Sequence, residues 1–120
     1  MAEHNELGEL GEEKAVEYLS SKGYKIRHRN WRAGKQELDI VAEENGMLVI
    51  VEVRTRKDNF LLHPAESVNK AKMRNTIMAA EAYIFKYDIT MPTRFDILSV
   101  VVGAKDGNCK FEHIEDAFLP

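Results

Sequence analysis

The sequence predicts an α/β sandwich, a mixed sheet of about five strands flanked by helices in the order αβββαββ. Three observations carry this. Short segments rich in β-branched residues alternate with two long segments of helical period. Asn45-Gly46, the strongest short hairpin signal, separates two of the strand-like segments. The segment Met47–Arg54, MLVIVEVR, is apolar on both faces, as a central strand covered on both sides must be.

The first helix is expected from Asn5 to Ser21, with Gly23 as the residue that stops it. At 100° per residue Glu12 falls on the stripe of Gly8, Ala15, Val16 and Leu19, whereas Glu13 lies beside Glu9 and Glu17. Glu12 should therefore face inward and Glu13 outward. Gly8 and Gly11 weaken the helix and point to a close approach by another backbone or a ligand, or to a late helix start. Strands follow at Tyr24–Trp31, where Tyr24 and Ile26 alternate with basic residues, at Glu37–Glu43 and at Met47–Arg54. A second helix is expected from Pro64 to Lys86, with Val68, Ile77, Ala80, Tyr83 and Ile84 on its apolar stripe. Pro92 breaks the chain before strands at Arg94–Val102 and Lys110–Ile114.

A length of 120 residues fits a single domain, residues 1–120. Apolar residues at 44% and charged residues at 31% exclude a disordered chain. The longest apolar run, Met47–Val51, is far short of the roughly 20 residues of a membrane span. The acidic N-terminal segment has no apolar core of a secretory signal. The single cysteine, Cys109, excludes an intramolecular disulfide and fits a reducing compartment, so a cytoplasmic location is expected. Phosphate-loop, dinucleotide and nucleophile-elbow motifs are absent, and no small-molecule cofactor is expected. His4, His28, His63 and His113 lack metal-ligand spacing and read as surface or hydrogen-bonded residues.

The net charge of −3 hides an uneven distribution. Residues 14–74 hold thirteen Lys/Arg against eight Asp/Glu, and the segment Ser20–Gln36 has six basic residues and no acid. A polyanion responds to this local potential more than to the global sum, although a plain solvated basic face has the same pattern. Trp31, among Arg29, Arg32 and Lys35, suits either edge packing or base stacking.

The hairpin carries the chemistry. A two-residue turn at Asn45-Gly46 puts Asp39 opposite Glu52 and Glu37 opposite Arg54, all four on one face by the period of two. Opposed residues have Cβ atoms about 4.5–5.5 Å apart, so two carboxylates there repel, and burial adds to the repulsion. A divalent cation relieves this, as does Arg54 or a proton.

These residues resemble a known family. Gly11-Glu12 with Ala15, Tyr18-Leu19 and Gly23-Tyr24, then Asn30, Glu37-Leu-Asp39-Ile and Val51-Glu52-Val-Arg54-x-Arg56 look like the YraN-type bacterial proteins. Pro64, Val68 and Lys72, then Arg94-Phe-Asp96 and His113-Ile-x-x-Ala117-Phe118, extend the likeness over nearly the full length. That family in turn resembles archaeal Holliday junction resolvases and the PD-(D/E)XK nucleases. The resemblance implies a restriction-endonuclease-like core and a metal-dependent endonuclease acting on branched or structured DNA. It implies Mg²⁺ or Mn²⁺ held by Asp39, Glu52 and the Val53 carbonyl, with Glu12 as the acid from the first helix. Arg54 would contact the scissile phosphate, and Arg29, Arg32, Arg56 and Lys72 would position the DNA backbone. A homodimer follows by the same analogy. The chain departs from the family pattern in having Gln36 where Gly is usual, and Arg54 where the wider superfamily has Lys. Arginine keeps the charge but cannot serve as a base, so metal-bound hydroxide, Lys72 or Lys57 would have to compensate. Two alternatives stay open: a non-catalytic nucleic-acid-binding protein on the same fold, and a protein-interaction scaffold in which the hairpin acids form a structural polar cluster.

Overall fold

A computed structural model describes residues 5–57, 70–103 and 108–119. In chain order it contains α1 (Asn5–Ser21), β1 (Lys25–Ala33), β2 (Gln36–Glu44), β3 (Met47–Lys57), α2 (Lys70–Lys86), β4 (Thr93–Val102) and β5 (Cys109–Phe118). The order is the expected αβββαββ. Pro64, Val68, His63 and His4 lie outside the described residues, as does the expected first turn and a half of the second helix.

Local chemistry sets the joints. Asn45 and Gly46 take φ of 53° and 77°, the doubly left-handed turn whose twist matches a two-residue hairpin. Helix α1 ends as its glycine requires: Gly23 has φ 92°, and the Tyr24 and Gly23 amides donate back to the Leu19 and Ser20 carbonyls at 3.0 and 3.1 Å.

The five strands lie in the order β1-β2-β3-β4-β5. Neighbours are antiparallel except β3 and β4, which are parallel and are linked across α2. The helices cover opposite faces. Ala15 and Leu19 of α1 pack on Ile40, Val49, Val51 and Leu98. Ala79, Ala80 and Tyr83 of α2 pack on Leu38, Val41, Ile50 and Phe95. Strand β3 is thus apolar on both sides because both sides are covered. It runs on to Lys57 because β4 keeps pairing with it as far as Lys57–Val102, past the point where its side chains turn polar. Likewise β1 reaches Ala33 and β5 spans Cys109–Phe118, both longer than their hydrophobic patterns imply.

Gly11 has a packing reason and Gly8 has none. A Cβ at Gly11 would lie 1.8 Å from Thr55 Oγ1, whereas one at Gly8 would meet nothing within 4 Å. The missing side chain lets α1 lie directly on β3, next to the hairpin acids. Trp31 packs at the sheet edge: it is half-buried, donates to the Tyr87 hydroxyl at 3.3 Å and meets the Tyr83 ring edge-on.

Candidate functional site

The site forms where β2 and β3 part. Their ladder runs from Glu44–Met47 to Ile40–Val51 and ends there. Side-chain alternation in β2 slips at the next residue. Leu38 joins the α2-side core and Ile40 the α1-side core, although a regular strand would put both on one face. The residue flanked by the pairs Arg29–Ile40 and Trp31–Leu38 on β1 is Asn30, whose φ of 51° is the left-handed conformation Asn tolerates. The slip frees Asp39 from both cores. Its carboxylate turns into the fork and accepts the Val53 amide at 2.9 Å, in place of a strand partner.

Glu52 stands on the neighbouring strand. Leu48 and Ile50 belong to the α2-side core, so the period of two carries Glu52 and Arg54 toward α2. Glu52 is only 9% exposed. Its Oε2 accepts Arg54 Nε at 3.0 Å and lies 3.9 Å from Lys72 Nζ of α2. On the α1 side, Glu12, Asp39, Val53 and Thr55 line a cleft of about 330 Å³ together with Leu7 and Gly8. Glu12 is half-buried and faces this cleft, while Glu13 is exposed, as the helical period requires.

The electrostatics follow from this packing. Burial pushes the Asp39 carboxyl up to about 7, and the charges of Glu52 and Glu12 add to the shift. The Val53 amide and the Lys72 ammonium pull the other way without cancelling it. Asp39 is therefore a carboxyl held against its charged form mainly by burial, while Glu52 beside it has Arg54 and Lys72 for counter-charges.

The expectation that Glu37, Asp39, Glu52 and Arg54 share one face is corrected. The slip at Asp39 ends the regular alternation, so Glu37 is not brought opposite Arg54 by a ladder. Arg54 turns along its own strand to Glu52, and Glu37 lies 3.8 Å from Arg32. Arg29 pairs with Glu13 at 3.0 Å, and Arg56 is half-buried on β3. Lys57 is exposed at the end of β3. Lys72, expected either as a phosphate contact or as a stand-in for the missing lysine, lies 3.9 Å from Glu52 Oε2. Thr55 is a cleft residue that the sequence did not flag; its only signal is the glycine opposite it.

Asp39 and Glu52 supply carboxylate oxygens of the kind a divalent cation takes. Among the described residues no three His, Cys, Asp or Glu side chains gather as a cage. Mg²⁺ needs none, because one or two carboxylates with water and phosphate oxygens hold it. Asp39, Glu52 and the Val53 carbonyl are hard oxygen donors, and Asp39 is destabilised by the very charge a cation would neutralise.

A second polar cluster lies toward the other end of the sheet. Asp96 is fully buried. Arg94 grips it with Nε and Nη2, both at 2.9 Å, His113 Nε2 lies 2.7 Å from it, and the Asp116 amide donates at 3.0 Å. Burial pushes the Asp96 carboxyl up, but the hydrogen bonds from His113, Arg94 and Asp116 outweigh it and hold it below the usual range. Arg94 also donates to the Tyr24 hydroxyl at 2.7 Å. The cluster pins β4 to β5 at the irregularity between Phe95 and Ile97.

Fold and site together define an α/β protein with a buried acidic pair at the fork of a central hairpin. The profile of "Uncharacterised protein family UPF0102" matches residues 11–100, a span holding Glu12, Asp39, Glu52, Arg54 and Lys72. The chain belongs to this family, the YraN family. A UPF0102 protein of Bacteroides fragilis is 52% identical over 120 residues, covering 100% of this chain and 98% of the relative. One of Bacteroides thetaiotaomicron is 51% identical over the same share of each chain. One of Flavobacterium psychrophilum is 43% identical over 118 residues, 98% of each chain. No helix of the described residues is long and apolar enough to cross a membrane.

Proposed function

We propose that this protein is a metal-dependent nuclease that hydrolyses phosphodiester bonds in branched or otherwise structured DNA. The observation that carries the reading is Asp39: a carboxylate turned into an opening of the sheet, raised to about 7 by burial and by the acid beside it. An acidic pair of this kind is unfavourable as structure alone and useful as a cation site. The resemblance to PD-(D/E)XK nucleases points the same way.

In this reading Asp39, Glu52 and the Val53 carbonyl hold Mg²⁺ or Mn²⁺, which when bound lowers the pKa of water and neutralises phosphate charge. Glu12 faces the same cleft and orients the water that attacks phosphorus. Arg54 supports Glu52 in the free protein and, by turning its fork to a non-bridging phosphate oxygen, steadies the charge that develops there. Water oxygen bonds to phosphorus, the P–O bond to the leaving sugar breaks, and a proton passes to the departing oxygen. Lys72 places an ammonium beside the carboxylates, a position from which it also meets the phosphate. Arg29, Arg32 and Arg56 hold the DNA backbone without reading sequence.

The test is to incubate the purified chain with labelled four-way junction, flap, single-stranded and duplex DNA, with Mg²⁺, Mn²⁺ or EDTA. Cleavage that needs metal and is lost in Glu52→Ala is the expected result. Salt-dependent binding without cleavage under either ion would identify a non-catalytic DNA binder. Neither binding nor cleavage would identify a scaffold.

A further inference from the structure

Helix α2 buries Thr76, Ala79, Ala80 and Tyr83. The ridge on its opposite side, about 180° away at 100° per residue, is Ala71, Arg74, Met78, Glu81 and Phe85. All five are exposed, and Phe85 at 87% and Met78 at 54% are among the large apolar residues most open to solvent. Their spacing of three, four, three and four is the repeat of a two-helix seam. Among the described residues Arg74 and Glu81 pair with no side chain of their own chain.

The ridge is complementary to itself in one orientation. Laid parallel on a copy, it sets Arg74 against Arg74 and Glu81 against Glu81. Laid antiparallel about a two-fold axis at Met78, it sets Met78 on Met78 and Phe85 over Ala71, whose small side chain leaves room for the ring. Arg74 then comes within about one residue's rise, about 1.5 Å along the axis, of Glu81 of the second copy. The Arg74–Glu81 pair forms twice, as an isologous interface requires. We propose that α2 is the contact surface of a homodimer of this chain, with the two α2 helices packed antiparallel through Ala71, Arg74, Met78, Glu81 and Phe85. A single helix pair buries less than the about 1,200–2,000 Å² of a standard interface, so the dimer is a weak, concentration-dependent one. The inference does not depend on the hydrolytic reading, because the ridge faces away from the sheet and the acidic pair.

Sedimentation equilibrium of the full chain from about 1 μM to 1 mM tests it, with circular dichroism confirming that each variant is folded. The wild type dimerises with rising concentration, and Phe85→Glu is monomeric throughout. Arg74→Glu and Glu81→Arg each weaken the dimer about tenfold, because each replaces two attractive pairs by two repulsive ones. The double variant restores wild-type affinity, and mixing the two single variants gives heterodimers tighter than either alone. A wild type that stays monomeric would overturn the proposal and leave the ridge to a different partner. So would a dimer that survives Phe85→Glu, or a double variant no tighter than the single ones.

Discussion

Asp39→Asn separates the function of the acidic pair from its effect on stability. In the native chain the Asp39 carboxyl sits at about 7, and in the unfolded chain at about 3.9. Between those values the native state holds a proton that the unfolded state has lost, so stability falls as pH rises through this window. At about 1.4 kcal/mol for each pH unit, the ionised carboxylate costs the native state about 4 kcal/mol above pH 7, a ceiling that solvent reaching a half-buried group reduces. Asparagine keeps an oxygen to accept the Val53 amide and never ionises. Urea unfolding in EDTA, followed by circular dichroism from pH 4 to 8.5, reads the difference between variant and wild type, in which all other titrations cancel. The two should be alike near pH 4, and the variant should be more stable by about 2–4 kcal/mol at pH 8. Mg²⁺ should then stabilise the wild type at pH 8 and leave the variant unmoved. A variant less stable than wild type at pH 8, or a difference that does not change with pH, would refute the argument that Asp39 is held against its preferred charge state.

Two further substitutions test the packing around the site. Gly11→Ala should destabilise by about 1–2 kcal/mol, since the clash with Thr55 exceeds the gain in helix propensity, whereas Gly8→Ala, with nothing nearby, should stabilise by about 0.5–1 kcal/mol; thermal unfolding distinguishes the signs. Asp96→Ala should cost about 3–5 kcal/mol by denaturant unfolding, because it leaves the Arg94 guanidinium largely buried without its main partner. The wild-type contribution of Asp96 is present above about pH 4 and is lost as pH falls through its lowered native value, so the deficit should shrink in acid.

The elements and their order were legible in the sequence because each is set by local rules. The period of two, the period of 3.6, the left-handed turn at Asn45-Gly46 and the glycine stop at Gly23 all act over a few residues. The same rules faced Glu12 inward and Glu13 outward, and brought Asp39 and Glu52 to adjacent strands. They failed at Asp39 itself, where a left-handed Asn30 on the neighbouring strand breaks the alternation and turns the carboxylate into the fork. They paired Glu37 with Arg54 wrongly, since Arg54 turns to Glu52 and Glu37 lies nearest Arg32. They could not place Lys72, whose approach to Glu52 depends on how α2 packs across the sheet, and they were silent on the partners of Asp96. The sequence determined which residues carry charge and which face of each element is apolar, since both are properties of side chain and period. Only the tertiary structure decided which charges meet and which carboxylate is left short of a counter-charge, because those depend on distances between elements far apart in the chain.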